Sequence, residues 1–523
     1  MKQKRDRYEM HKYWGKKPAN NLNKLIEEYS KKGDTVLDPF SGYGVFCCEA
    51  YLLGRNVISN DLNPSANFIT DQLLEQSIDI SKIKKEWKTI KEEFIPYINS
   101  WYEFQYNGET VIPSAILRDK NDIPIMLKFK RNGEKKSTEI TIDQKTALEF
   151  IEFEKSQEIT DWYPTDSLIE NSRISAKKGM TIADLFTKRT LACHARLLNL
   201  IETHSSGKEL QLLKLAFTAN LANCSKLVPP IKSRGPMAPG AWMTGFYIGD
   251  TYIENNVLQY FENRFNKTIK GKEDYLNFFK LNDDLFSKQE RKNTYTITKD
   301  DAKHLSVPSE SVDYVFTDPP YGDAVPYFEQ SIIWNTWLKF TPDYDNEIVI
   351  TDSKERKKGA TEFELEIEEA FSEIRRVLRD SGYFSLTYHS LSGLEWKAIT
   401  NACIKNGFEL VDFQWLVQKS FTPRQINRLK SIKGDVLVTF QKVPSIQSKH
   451  LTNKEVKTLF LEKIEDWISA SPLDTNEIFL KIMKMIFEEK IIIKEIDLLK
   501  ILTANFKFTE NQKWTLNDKL KLC

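Results

Sequence analysis

Cysteine is scarce in this 523-residue chain: Cys47, Cys48, Cys193, Cys224, Cys403 and Cys523 are the only six. None stands in a CxxC or Cys/His ligand spacing, so the thiols are read as reduced and no metal site is expected. Long apolar runs are missing as well, and none approaches the roughly 20 residues that a membrane span requires. No charge of one sign dominates, because 75 Lys and Arg stand against 74 Asp and Glu. The total therefore implies no polyanionic partner, and only the local runs 128–136, 354–358 and 424–433 offer basic faces. The first 18 residues are charged and aromatic without an apolar core, which does not read as a secretory signal and makes the cytoplasm the expected compartment. No internal repeat or low-complexity tract is apparent.

What is present is a globular composition, 41% hydrophobic and 28% charged, at a length that predicts two or three domains. Periodicity predicts a helix over Asn21 to Tyr29, a buried strand Thr35 to Asp38, a helix from Val45 and a second strand ending at Asn60-Asp61. This is a βαβ unit. A long region of different character follows, with β-rich runs over Gln105 to Asp143 broken at turn signals such as Asn107-Gly108, then helical stretches, then a Pro/Gly-rich loop from Val228 to Gly245. The α/β pattern resumes with Tyr295 to Thr298 and the apolar strand Ser311 to Thr317, and closes with an antiparallel pair, Phe408 to Val417 and Asp435 to Gln441. The expected division is 1–72 and 292–443 as two parts of one α/β domain, 73–291 as an insertion, and 444–523 as a helical accessory domain.

Two constellations carry chemistry. In the first, Asp38-Pro39-Phe40-Ser41-Gly42-Tyr43-Gly44 places small residues at a strand's carboxyl end, where a ligand approaches the backbone closely. Asp61 follows at the end of the next strand, where a carboxylate accepts both hydroxyls of a ribose. The third glycine of a dinucleotide fingerprint is absent, which favours a nucleoside over a dinucleotide. In the second, Asp318-Pro319-Pro320-Tyr321 follows an apolar strand directly. The prolines stiffen the turn and remove donors. Asp318 and the Pro319 carbonyl are then acceptors for the hydrogens of an aromatic amine, and Tyr321 is a stacking surface for its ring.

The segment DPFSGYGVFCCEAYLLGRNVISNDLNP and the upstream HKYWGKKPANNLNKLIEEY resemble the cofactor motifs of S-adenosylmethionine-dependent DNA amino-methyltransferases, as DPPY resembles their catalytic motif. The resemblance implies a class I methyltransferase Rossmann-like mixed sheet with a large α+β insertion and a C-terminal helical domain. It also implies S-adenosylmethionine as cofactor, with Lys17, Pro18, Asp38, Pro39, Phe40, Gly42, Gly44, Asp61 and Asp301 around it. Asp318, Pro319, Pro320 and Tyr321 are the implied catalytic residues, with Tyr327 and Phe328 lining the base pocket and no role given to His389. The implied substrate is a base flipped out of double-stranded DNA, with the Pro/Gly-rich loop and basic runs as contacts. Adenine N6 is favoured by the opening aspartate, with cytosine N4, RNA guanine N2 and a silent DNA-binding subunit as alternatives. A restriction-modification or related defence setting, with a cognate subunit, completes the expectation. The insertion also resembles that of methylases bearing a zinc ribbon, but it has no cysteine between 105 and 143, so no metal is carried over.

Overall fold

The computed structural model describes residues 5–131, 133–283, 293–388, 393–416, 435–494 and 497–517. His389 and the basic run 424–433 lie outside the described residues. The central sheet has seven strands, numbered here in chain order: β1 (Thr35–Asp38), β2 (Asn56–Asn60), β3 (Tyr295–Thr298), β4 (Val312–Thr317), β5 (Leu378–Tyr388), β6 (Phe408–Leu416) and β7 (Asp435–Lys442). Their order is β3-β2-β1-β4-β5-β7-β6. The first five run parallel to one another, and β7 is antiparallel to both β5 and β6. This is the class I methyltransferase sheet. The expected antiparallel C-terminal pair is formed by β6 and β7.

The strands are apolar because both faces are covered. Val36, Tyr314 and Phe316 pack into a core shared with the insertion, while their neighbours Leu37 and Val315 face a second core shared with the C-terminal helices. In that second core Phe479 meets Trp396 with ring centroids 4.1 Å apart, and Phe487 meets Phe440 at 5.1 Å. Phe479 and Phe487 both come from helix Thr475–Glu489, which, like helix Asn453–Ala470 before it, begins with a capping box, Asp474/Glu477 and Thr452/Glu455 respectively.

The insertion leaves the sheet after β2 and returns at β3. Helix Ile80–Tyr102 buries Ile83, Trp87, Ile90, Phe94, Ile98 and Trp101, the three-and-four spacing of one helical face. Asn107 and Gly108, both at positive φ, turn the hairpin Phe104–Tyr106/Glu109–Val111, as their sequence predicts. A four-stranded sheet takes Thr251–Asn255 as an edge strand beside Ala115–Asp119, so it is closed by residues far along the chain. Behind it two arginines and two glutamates are buried together. Arg118 reaches Glu254 at 2.6 Å and Glu154 at 2.5 Å, and Arg189 reaches Glu254 at 3.2 Å and Glu154 at 3.3 Å.

The insertion is tied back to the cofactor half by one fully buried lysine. Lys272, on helix Val257–Asp283, donates to the carbonyls of Gln72 and Glu75, both at 2.6 Å, and of Leu73 at 3.3 Å. These are end carbonyls of helix Pro64–Leu74, which have no partner within the helix. Burial lowers the Lys272 ammonium to about 7.

Candidate active site

Chain order reverses between β1 and β4, and in open α/β sheets ligands bind outside the strand ends at such a point. Asp38 ends β1 and Asp318 follows β4, and Thr317 joins the two ends by donating its hydroxyl to Asp38 Oδ1 at 3.1 Å. A cleft opens there, with about 940 Å³ of empty space including its mouth.

One end of the cleft is the glycine turn. Asp61 Oδ2 accepts the Gly42 N–H and Oδ1 accepts the Asn63 N–H, both at 2.8 Å, so the carboxylate shapes the turn and still borders the cleft. Burial raises the Asp61 carboxyl to about 6, and it raises that of Asp38 as well. Asn60 links the turn to β3 by donating to the carbonyls of Pro39 and Asp300 at 3.1 and 3.0 Å. Asp301 borders the same end, its carboxylate 3.3 Å from Lys303 Nζ. Asp318, Pro320, Tyr327 and Phe328 border the same cleft.

Of the residues expected from sequence, the cleft wall brings together Lys17, Asp38, Pro39, Phe40, Gly42, Asp61, Asp301, Asp318, Pro320, Tyr327 and Phe328. Four expected residues do not line the cleft wall. Gly44 is outside the wall, and its glycine serves packing: at φ +77° a Cβ would fall 2.5 Å from the Thr70 hydroxyl. Pro18 is also outside, at the N-cap of helix Ala19–Tyr29, where its fixed φ suits the helix start. Pro319 is buried behind the wall. Tyr321 does not offer its ring to the cleft; its hydroxyl donates to Asp318 Oδ1, because a buried carboxylate needs donors more than the turn needs an exposed ring. Lys17, expected at the cofactor, places its Nζ 3.1 Å from Asp318 Oδ2 and 3.2 Å from Asp435 Oδ2.

Residues of two basic runs also have acidic partners within the protein. Arg356, within 354–358, is buried between Glu329, at 2.5 Å, and Glu347. In 128–136, Lys128 pairs with Glu139 at 2.9 Å and Arg131 with Glu109 at 3.2 Å across the insertion strands.

Sequence reading missed Tyr13, Trp14, Ser41 and the segment Asn346-Glu347-Ile348, all of which line the cleft. Tyr13 and Trp14 were signalled by their place inside the upstream motif. Glu347 carried no signal, since it arrives from an irregular loop; burial pushes its carboxyl up to about 8 even with Arg356 beside it.

The wall fits S-adenosylmethionine. Asp61 and Asp301 supply acceptors for ribose hydroxyls and a purine amino group, and Phe40 and Ile348 supply apolar wall. The Ser41 hydroxyl and the Trp14 indole N–H are buried at the cleft without a partner among the described residues, which suits a ligand with its own polar ends. Since protonation of Asp61 removes an acceptor and the charge that strengthens its bonds to hydroxyls, cofactor affinity is expected to fall by up to about tenfold per pH unit below roughly 6. Calorimetric titration from pH 8 to 5 checks this, and Asp61→Asn should bind weakly at every pH.

Comparison with known proteins finds similarity to parts of the chain. Residues 1–71 match the N6_N4_Mtase family model, a DNA methylase. A curated relative, tRNA (guanine(37)-N(1))-methyltransferase of Saccharomyces cerevisiae, is 26% identical over 108 residues, which is 19% of this chain and 21% of that protein. The chain thus spans about a fifth of the length of that relative. Among solved structures, a protein of Thermus thermophilus described as a DNA modification methylase is 16% identical, with 31% of this chain and 60% of that one covered and a TM-score of 0.17. A Methanosarcina mazei S-adenosylmethionine-dependent methyltransferase is 14% identical, with 33% and 77% covered and a TM-score of 0.18. The fold is fixed by the strand order, not by these overlaps.

Proposed function

We propose that the chain is an S-adenosylmethionine-dependent DNA methyltransferase acting on an exocyclic amino group, adenine N6 ahead of cytosine N4, within a restriction-modification or related defence system. The observation that carries this reading is that one cleft holds both the nucleoside-binding set, Asp61 and Asp301, and the aspartate of the DPPY turn, Asp318. When bound, the cofactor supplies a sulfonium methyl: the amine lone pair forms the new N–C bond, the S–C pair stays on sulfur, and the nitrogen then loses a proton to solvent. The protein's part is alignment and electrostatics. Asp318 accepts a hydrogen of the amine and turns its lone pair towards the methyl, while Tyr327, Phe328 and Trp14 provide the aromatic surfaces that the flipped base needs. Incubation with tritiated cofactor and DNA tests the reading. Label in DNA supports it, and long-read detection of modified bases identifies base and context. The same assay on tRNA tests the reading favoured by the yeast relative; label in tRNA alone would replace DNA as substrate.

We assign the Pro/Gly-rich loop as a DNA contact. It is pinned by the bridge between Pro230 and Pro239 and by the Ser175 N–H donating to the Gly245 carbonyl at 2.7 Å. Lys12 lies 4.0 Å from the Trp242 ring centroid, and Arg173 pairs with Asp323 just past the catalytic turn. Between these anchors Met243 and Tyr247 are 41% and 54% exposed. Large apolar side chains held in the open mark a contact surface. The double substitution Met243→Ala/Tyr247→Ala is expected to weaken duplex binding about tenfold or more, as fluorescence anisotropy would show, with cofactor affinity unchanged.

A further inference from the structure

Both oxygens of Asp318 are occupied. Oδ1 accepts the hydroxyl of Thr387, on β5, at 2.9 Å and that of Tyr321, and Oδ2 faces Lys17 Nζ at 3.1 Å. The same ammonium donates to the Tyr321 hydroxyl at 3.1 Å and to Asp435, the first residue of β7, at 3.2 Å. Lys17 therefore ties three separate parts of the chain together: the catalytic turn, the last strand and its own N-terminal motif. Its side chain is 12% exposed, and those of Asp318 and Asp435 are 16% and 15%. A lysine in such a site is not a solvated surface charge.

We propose that Lys17 is a positioning residue that keeps Asp318 ionised and aimed into the cleft, with Asp435 as the second anchor of its ammonium. The inference rests on the reading of Asp318 as the acceptor of the substrate amine. Only a carboxylate serves there, since a protonated acid would offer one acceptor fewer and a donor in the wrong place. Burial alone favours the neutral acid. The groups that face Asp318 are Lys17 from the N-terminal motif, Tyr321 from its own turn, Asp435 from β7, Asp38 from β1 and Tyr327 from the helix after the turn. Lys17 is the cation among them, set against two further carboxyl groups and two phenols. Burial still raises the Asp318 carboxyl above the usual range, with Lys17 opposing it; the paired Lys17 ammonium is itself held up by Asp318 and Asp435 against its own burial.

The sign follows. Transfer should rise with pH through the ionisation of Asp318. Removing the cation moves that limb to higher pH, and removing the competing anion at 435 moves it to lower pH. The test is the pH dependence of single-turnover methyl transfer to DNA at saturating cofactor for wild type, Lys17→Met, Lys17→Arg and Asp435→Asn. Lys17→Met is expected to lose about tenfold or more at pH 7 and to recover at high pH. Lys17→Arg should follow the wild type closely and Asp435→Asn should shift the opposite way. A Lys17→Met profile lowered equally at every pH, or one whose only change is weaker cofactor binding, overturns the proposal. Difference infrared titration, each protein against the same protein carrying Asp318→Asn, reads the carboxyl group without turnover. If wild type transfers no methyl group, the enzymatic reading fails, yet this titration still decides: the Asp318 band titrating at the same pH with and without Lys17 sinks the inference.

Discussion

Asp318→Ala is expected to lower methyl transfer to DNA by on the order of 10²–10³-fold or more while cofactor affinity stays within about threefold of wild type. The separation is expected because the side chain of Asp318 bonds to Lys17, Tyr321 and Thr387, whereas Asp61 bonds to the backbone N–H groups of Gly42 and Asn63. The loss should fall on the rate of the chemical step, not on DNA binding, since the interaction removed is one made to the reacting nitrogen. Rapid-quench measurement of the single-turnover rate, with calorimetry for the cofactor, separates the two. Transfer at the wild-type rate would remove the mechanism. Loss of cofactor binding in parallel would make Asp318 a scaffold of the cleft.

The largest effect on stability is expected at the buried charge quartet. Glu254→Gln leaves Arg118 and Arg189 in the protein interior with Glu154 as their one remaining anion, and breaking such a buried set costs about 3–5 kcal/mol. A guanidinium taken out of water keeps its desolvation cost whether or not its partner remains. The urea midpoint should fall strongly for Glu254→Gln and hardly move for Glu149→Gln, which removes the exposed Lys145–Glu149 pair. An equal response of the two variants would show that the quartet contributes no more than a surface pair. Because the four groups come from two strands and two helices of the insertion, the loss should also appear as increased proteolysis of that region.

What could be read from sequence followed from how local each signal is. The strands and the turn at Asn107-Gly108 were legible because alternation and turn chemistry act between neighbours. Asp38, Gly42 and Asp61 were legible because a strand, a tight turn and a second strand fix their relation within about two dozen residues. The contacts that could not be read share a different cause. Gly44 is required by Thr70, Tyr321 turns towards a carboxylate three residues away, and Lys17 meets residues some 300 and 400 positions later. Each depends on a partner brought near only by the complete sheet. The run 354–358 reads as basic surface in sequence, yet Arg356 is drawn inward by Glu329 and Glu347.

Lys272 bears on the order in which the molecule can be made. Its ammonium closes the end of helix Pro64–Leu74, yet it lies 200 residues beyond Gln72. A chain emerging from a ribosome exposes the first two parallel strands long before that lysine exists, and β4, their partner at the sheet's centre, comes later still. At about 5–20 residues per second the wait is on the order of ten seconds or more. For that interval the nascent cofactor half has unpaired strand edges and an uncapped helix, so its early life is one that invites a chaperone.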